Sequence, residues 1–232
     1  MKRQIAIGDI HGCLDTFEAL LETIKLTQSD ELILLGDYVD RGWNSKGVID
    51  KITTLQKEGH NVIPLKGNHE QMLIDCYAEM LEKSYKNLGD SRLLDSFGIK
   101  NLKDIPIEYI DFCKKLPLLH LANDYILVHA GLNFKHKNPL EDKYSLIWVR
   151  YWYDRINKDW LGNRIIIHGH TPQSKTETEE QFRNIKHQQV LNLDCGAFSS
   201  KNKAKGRGYL CAFDMTNEKL YFQENIEDDN IY

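Results

Sequence analysis

The chain has 232 residues, 41% of them hydrophobic, enough to bury a sizeable core within the range of one domain. Thirty Lys and Arg against 34 Asp and Glu leave a formal net charge of -4, which argues against a polyanion-binding surface and leaves any anion site local. Five scattered cysteines without a CxxC pair argue against a disulfide framework or a zinc ribbon and fit a reducing, cytoplasmic setting.

In chain order, the first short apolar run is Ile5 to Ile7, preceded by too few apolar residues for a signal segment. Leu14, Phe17, Leu20, Leu21 and Ile24 then mark one face of a helix. Leu32 to Leu35 is a second strand, Val48, Ile49, Ile52 and Leu55 a second helical face, and Val62 to Leu65 a third strand. Strand, helix, strand, helix, strand predicts a parallel α/β unit.

From about residue 70 to 116 the pattern is mainly helical, which reads as an insertion within a single domain spanning 1–232. Tyr125 to Val128, Ile165 to Ile167, Val190 to Leu193, Tyr209 to Phe213 and Leu220 to Phe222 are further strands. The last three are close enough in sequence to suggest antiparallel pairing. The basic run "KNKAKGRG" at 201–208 reads as a solvated loop, and the chain closes on an acidic tail, "ENIEDDNIY". No run approaches the ~20 apolar residues of a membrane span, so no membrane partner is expected, and no nucleic-acid partner either. The sequence fixes no oligomeric state.

Five of the apolar runs end in polar motifs: "GDIHG" (8–12), "GDYVDRG" (36–42), "GNHE" (67–70), "VHAG" (128–131) and "HGHTP" (168–172). Ligands of open α/β sheets gather beyond the carboxyl ends of the strands, and these ends supply carboxylate, amide and imidazole groups. An extended chain through Asp9 and His11 would put both on one side, free to hold one cation. Asp37 has two oxygens and can bridge to a second cation completed by Asn68, His129 and His170. Ligands of this kind without thiolate fit manganese, with iron and zinc also open.

Arg41 offers a planar fork for phosphate oxygens, and Arg150 in "SLIWVR" is a candidate second clamp. His69, next to Asn68, is placed to serve as general acid, with Asp40 to orient it and keep it protonated. His168 reads as a structural imidazole, Cys195 as an inert thiol, and Trp148, Trp152 and Trp160 as core.

These motifs together resemble the phosphoprotein phosphatase family of the metallophosphoesterases, and "GNHEQMLID", "SLIWVR" and "LNLDCGAF" resemble its compact phage and bacterial branch. The resemblance implies an α/β calcineurin-like metallophosphoesterase fold, a central β-sandwich of mixed sheets flanked by helices. It implies two divalent metal ions, one on Asp9, His11 and Asp37 and the other on Asp37, Asn68, His129 and His170. Asp40, Arg41, His69 and Arg150 take the catalytic roles given above. The expected substrate is a phosphoserine or phosphothreonine protein or peptide, attacked directly by a dimetal-bound hydroxide. Symmetric dinucleoside tetraphosphate hydrolases share much of this signature and are the alternative; Asp40 and Glu70 favour the protein substrate. A catalytically dead scaffold is disfavoured, since every ligand position is filled.

Overall fold

The computed structural model describes residues 2–82, 91–199 and 206–227. Part of the basic run (201–205) and of the acidic tail (228–232) lies outside the described residues, as do 83–90 of the helical segment.

β1 (Gln4–Ile7), α1 (Leu14–Thr23), β2 (Glu31–Leu34), α2 (Ser45–Lys57) and β3 (Asn61–Pro64) form the expected parallel unit, with β1 beside β2 and β2 beside β3. Asn44 starts α2 by accepting a hydrogen bond from Gly47 N–H at 2.9 Å, a side-chain cap for an otherwise unpaired donor. The segment that follows is helical: α3 (Asn68–Glu82), α4 (Ser91–Phe97) and α5 (Ile107–Lys115). Ile110 and Cys113 of α5 and Leu93 of α4 bury against the same core as α1 and α2.

β4 (Leu119–Ala122) and β5 (Tyr125–Val128) then make an antiparallel hairpin. The periodicity gives no sign of β4, because its Leu121 faces solvent and His120 interrupts the apolar run. α6 (Lys143–Trp148), capped by Asp142, and α7 (Lys158–Leu161) lead into β6 (Ile165–His168), and α8 (Lys175–Arg183) and α9 (Ile185–Gln188) into β7 (Val190–Asn192). β8 (Tyr209–Asp214) and β9 (Lys219–Glu224) close the order.

β8 and β9 pair antiparallel as expected, but β7 does not join them: it lies parallel to β6 in a second sheet. The first sheet runs β3-β2-β1-β8-β9 and the second β4-β5-β6-β7, both mixed. Sequence proximity misleads here because the connection after β7 crosses from one sheet to the other, and β8 finds its other partner in β1.

Alternation along the strands explains why their sequences are continuously apolar. Ala6, Ile33, Leu127, Ile167, Leu191 and Phe213 face the interior between the sheets. Their neighbours Ile5, Ile7, Leu32 and Leu34 face α1 and α2, while Ile126, Val128 and Ile166 face Leu146, Trp152 and Leu161. Side chains of a strand alternate sides, so a strand buried on both faces needs apolar residues at every position. Sandwiched in this way, the parallel strands β1, β2, β5 and β6 end at one edge, where His129 of the second sheet reaches Leu35 O of the first at 2.9 Å.

Candidate metal centre

The loop after β2 carries most of the chemistry and is held in an unfavourable shape. Asp37, Asp40 and Arg41 have φ values of 55°, 68° and 70°, and His11 and His170, on other strand ends, have 49° and 72°. Left-handed backbone at a non-glycine residue costs roughly 1 kcal/mol or more. An extended run through His11 is therefore not what the chain adopts: it turns there, and His11 N–H donates to Asp37 O at 2.8 Å.

Glu70 restrains this loop. Its carboxylate is fully buried and accepts from the backbone N–H groups of Asp37 (2.9 Å), Tyr38 (2.7 Å), Val39 (3.3 Å) and Gly67 (2.9 Å). Burial and the Asp37 charge push its pKa up to about 7, yet donors alone meet its oxygens, so the loop is built around the anion. Sequence reasoning used Glu70 only as a substrate marker and missed this role, since its partners are backbone groups of a segment distant in sequence. Gly67 has to be glycine for a related reason: a Cβ there would overlap Asp37 Oδ1. Gly169 is under the same constraint from Asp9 Oδ1.

The imidazoles are oriented by backbone carbonyls. His11 Nδ1 lies 2.9 Å from Val39 O and His129 Nδ1 2.9 Å from Leu35 O. A carbonyl accepts only, so each Nδ1 carries the proton. Burial drives both rings toward the neutral form, His11 well below the ordinary range and His129 to about 3. Their Nε2 atoms are then lone pairs, and what they face also lacks protons.

His11 Nε2 is 3.5 Å from Asp37 Oδ2. His129 Nε2 is 3.4 Å from Asp37 Oδ1 and 3.0 Å from Asn68 Oδ1, while His170 Nδ1 is 2.8 Å from the same Asn68 oxygen. Burial lowers His170 to about 2. His11 Nε2 against Asp37, and His129 Nε2 against Asp37 and Asn68 Oδ1, are acceptors facing acceptors in a buried site, which repel unless a cation lies among them. His170 Nε2 has no hydrogen-bond partner among the described residues. This donor set fits divalent metal ions, with Asp37 facing both sides.

Two groups of three carry ligand atoms within 4.8 Å of one another: His11, Asp37 and His69, and Asp37, His129 and His170. Asp9, expected with His11 and Asp37, is in neither group. Its oxygens accept from His170 N–H at 3.2 and 3.0 Å. Burial, with Asp194 and Asp37 nearby, raises its pKa well above the ordinary value. Asp194 is likewise buried and pushed up to about 6 by burial, and its Oδ2 has no hydrogen-bond partner. Three buried carboxylates thus crowd one edge, a further reason for cations to sit there.

His69 Nδ1 is 2.6 Å from Asp40 Oδ2, and its Nε2 turns toward Asp37, 3.9 Å away. Burial alone would lower its pKa, but the Asp40 hydrogen bond and the Asp37 charge outweigh it and raise it. His69 is thus the one imidazole of the centre biased toward the charged form.

Arg41 lies over the Phe198 ring at 4.4 Å, with its charge acting on Asp9, His11 and Asp37. Arg92 of α4 donates to Arg41 O at 2.5 Å; Phe198 closes the "LNLDCGAF" stretch, where its role is not legible, and Arg92 lies in no motif. Arg150 is exposed just beyond α6, and its charge lowers His129 and His170. His168 sits apart, held by Tyr153 Oη at 2.6 Å and Gly169 O at 2.9 Å. Trp152 is core, as expected, and donates to Ala130 O, whereas Trp148 and Trp160 are only partly buried against that core.

Residues 2–195 match the calcineurin-like phosphoesterase family model. The chain is 33% identical over 130 residues to a symmetrical bis(5'-nucleosyl)-tetraphosphatase of Nitrosospira multiformis, a match covering 55% of this chain and 42% of that protein. It thus spans less than half the length of such symmetrical relatives. It is 30% identical over 218 residues to the asymmetrical bis(5'-nucleosyl)-tetraphosphatase PrpE of Oceanobacillus iheyensis, with 82% of each chain covered. In fold it is similar to a protein serine/threonine phosphatase from Saccharomyces cerevisiae with similarity to human PP5, at a TM-score of 0.66 and 18% identity, covering 99% of this chain and 82% of the other.

Proposed function

The chain belongs to the calcineurin-like phosphoesterase family, and from that premise we propose that it hydrolyses bis(5'-nucleosyl) tetraphosphates. The coarser statement, a dimetal phosphoesterase, rests on the family match and the ligand groups. The finer one rests on the asymmetrical tetraphosphatase, matched along most of both chains. The phosphoprotein substrate expected from the sequence becomes the second reading.

We assign one cation to Asp9, His11 and Asp37 and the other to Asp37, Asn68, His129 and His170, with manganese as the first candidate. Bound there, such ions supply Lewis acidity toward water and phosphoryl oxygens. The chain's own groups do the rest. Arg41, steadied by Phe198 and Arg92, and Arg150 would grip the transferred phosphoryl oxygens and stabilise charge that develops on them. His69 holds a proton on Nε2 because Asp40 fixes Nδ1, and it would deliver that proton to the leaving oxygen. Asp37 accepts from His69 N–H at 3.0 Å, which keeps ligand and acid in register.

The observation that carries the reading is the set of unprotonated Nε2, Oδ1 and Oδ2 atoms turned on one another, with the Arg41 charge acting on the same groups. One feature favours the second reading. A nucleotide leaving group needs little protonation, whereas the alkoxide of serine or threonine needs a proton donor, and the short Asp40–His69 pair keeps one protonated.

The test is turnover by the manganese-loaded protein of diadenosine tetraphosphate and of a phosphothreonine peptide, side by side, with chromatography of the nucleotide products. Preference for the dinucleotide supports the proposal. Two ADP molecules would mark symmetric cleavage, and ATP with AMP asymmetric cleavage. Preference for the peptide would restore the phosphoprotein reading.

A further inference from the structure

Beside the centre lies an open cavity of about 710 Å³, lined among others by Lys66, Gln71, Asp75, Lys143, Tyr144 and Trp148. It is far larger than one phosphate needs and lies in the range of small-molecule sites. Chain connectivity ties it to the chemistry. Lys66 is two residues before Asn68, and Gln71 follows Asn68 by one turn of α3. Trp148 ends α6 two residues before Arg150, and its backbone acts on His170.

Tyr144 and Trp148 are four residues apart on α6, and their rings are stacked, 21° from parallel with centroids 6.2 Å apart. Tyr144 is 71% exposed, an unusual position for a large aromatic side chain with no partner on its outer face to bury it. Among the described residues neither lysine is paired with a carboxylate, and Lys66 Nζ reaches only Lys114 O, at 3.4 Å. Asp75 accepts from the Gln71 amide N–H at 2.8 Å, so the acid is already partnered and the Gln71 carbonyl is not used in that bond.

We propose that this cavity takes one nucleoside of the dinucleotide. The base lies against the Tyr144–Trp148 platform, and its phosphates run past Lys66 and Lys143 toward Arg150. The inference rests on the tetraphosphatase reading above and adds where the nucleoside is held. A flat π face, two cations and an amide acceptor suit a nucleobase bearing a polyphosphate. An apolar peptide side chain would use the ring faces but not the lysines.

The experiment compares manganese-loaded wild type, Tyr144→Ala and Tyr144→Phe on diadenosine tetraphosphate, with inorganic tripolyphosphate as competing inhibitor. Tyr144 is exposed, so both variants should fold, and a thermal melt checks this. Tyr144→Ala should raise KM for the dinucleotide about tenfold with kcat within about twofold, as expected of lost base stacking. It should leave the Ki of tripolyphosphate, which has no base, unchanged. Tyr144→Phe should stay close to wild type. An unchanged dinucleotide KM in Tyr144→Ala, or an equal rise in the tripolyphosphate Ki, overturns the cavity assignment alone. A wild type that cleaves the phosphothreonine peptide and not the dinucleotide overturns both the assignment and the reading beneath it.

Discussion

The two ends of the first sheet are built from the same three strands and treat charge in opposite ways. At the amino ends every acid meets a donor. Arg3 pairs with Asp30 at 2.6 Å, Lys2 with Glu31 at 2.7 Å, and Gln4 and Asn61 add hydrogen bonds to Glu31. For Asp30 and Glu31 burial works upward, but these donors outweigh it and hold both carboxylates below their ordinary pKa. At the carboxyl ends, where the strand ends of the second sheet adjoin, the balance reverses. Asp9, Asp37 and Asp194 rise and His11, His129 and His170 fall, chiefly through burial. One end is complete in protein atoms alone; the other leaves buried carboxylates and lone pairs facing one another, groups that could hold a metal ion.

Breaking the carboxyl end should cost most. Asp37→Asn removes the carboxylate that faces both cation positions, so metal per chain by elemental analysis should fall at both. Turnover should drop on the order of a thousandfold, several kcal/mol of charge stabilisation. Two metals retained in that variant would contradict the bridging assignment. His69→Asn should keep the metals and lose on the order of a hundredfold on a phosphothreonine peptide, with a smaller loss on a nucleotide leaving group. Equal losses on the two would remove the acid role.

Glu70→Gln sharpens the comparison within the loop. The amide turns an NH₂ group against backbone donors, and one or more N–H groups lose their acceptor, costing about 2 kcal/mol in denaturant stability. A variant as stable as wild type would mean that the strained φ values of Asp37, Asp40 and Arg41 are held by something else.

The smallest effect belongs to the amino end. Because the Asp30 pKa is lowered, its ion pair stabilises the fold above its ordinary value of 3.8, and that contribution disappears as pH falls through the lowered value. Asp30→Asn should cost about 1 kcal/mol near neutral pH and nothing at the acid limit, seen as converging urea midpoints. A constant gap across pH would show that packing rather than charge is lost.

The same contrast explains what was legible in the sequence. Strands buried on both faces wrote themselves as apolar runs, and motif residues at their ends were visible because glycine and charge follow apolar residues abruptly. β4 was hidden by its exposed Leu121, and the place of β7 by a sheet crossing that no local signal records. At the centre, type and position picked out Asp37, His129 and His170, which the fold brings within reach of one another. The left-handed backbone at His11, Asp37, Asp40 and Arg41 was not, because none of these is glycine. Glu70, Phe198 and Arg92 act through distant backbone and ring faces, contacts that arise only on folding.

At the carboxyl edge, buried carboxylates and lone pairs outnumber the positive charge that Arg41 and His69 bring, and bound cations should make up the difference. Urea unfolding of chelated and manganese-loaded wild type and Asp37→Asn tests it most directly. The account predicts that manganese raises the wild-type midpoint, by linkage to the folded state, and leaves Asp37→Asn nearly unmoved. It also predicts that the chelated variant is at least as stable as the chelated wild type. A chelated wild type more stable than the variant, and indifferent to manganese, would contradict it.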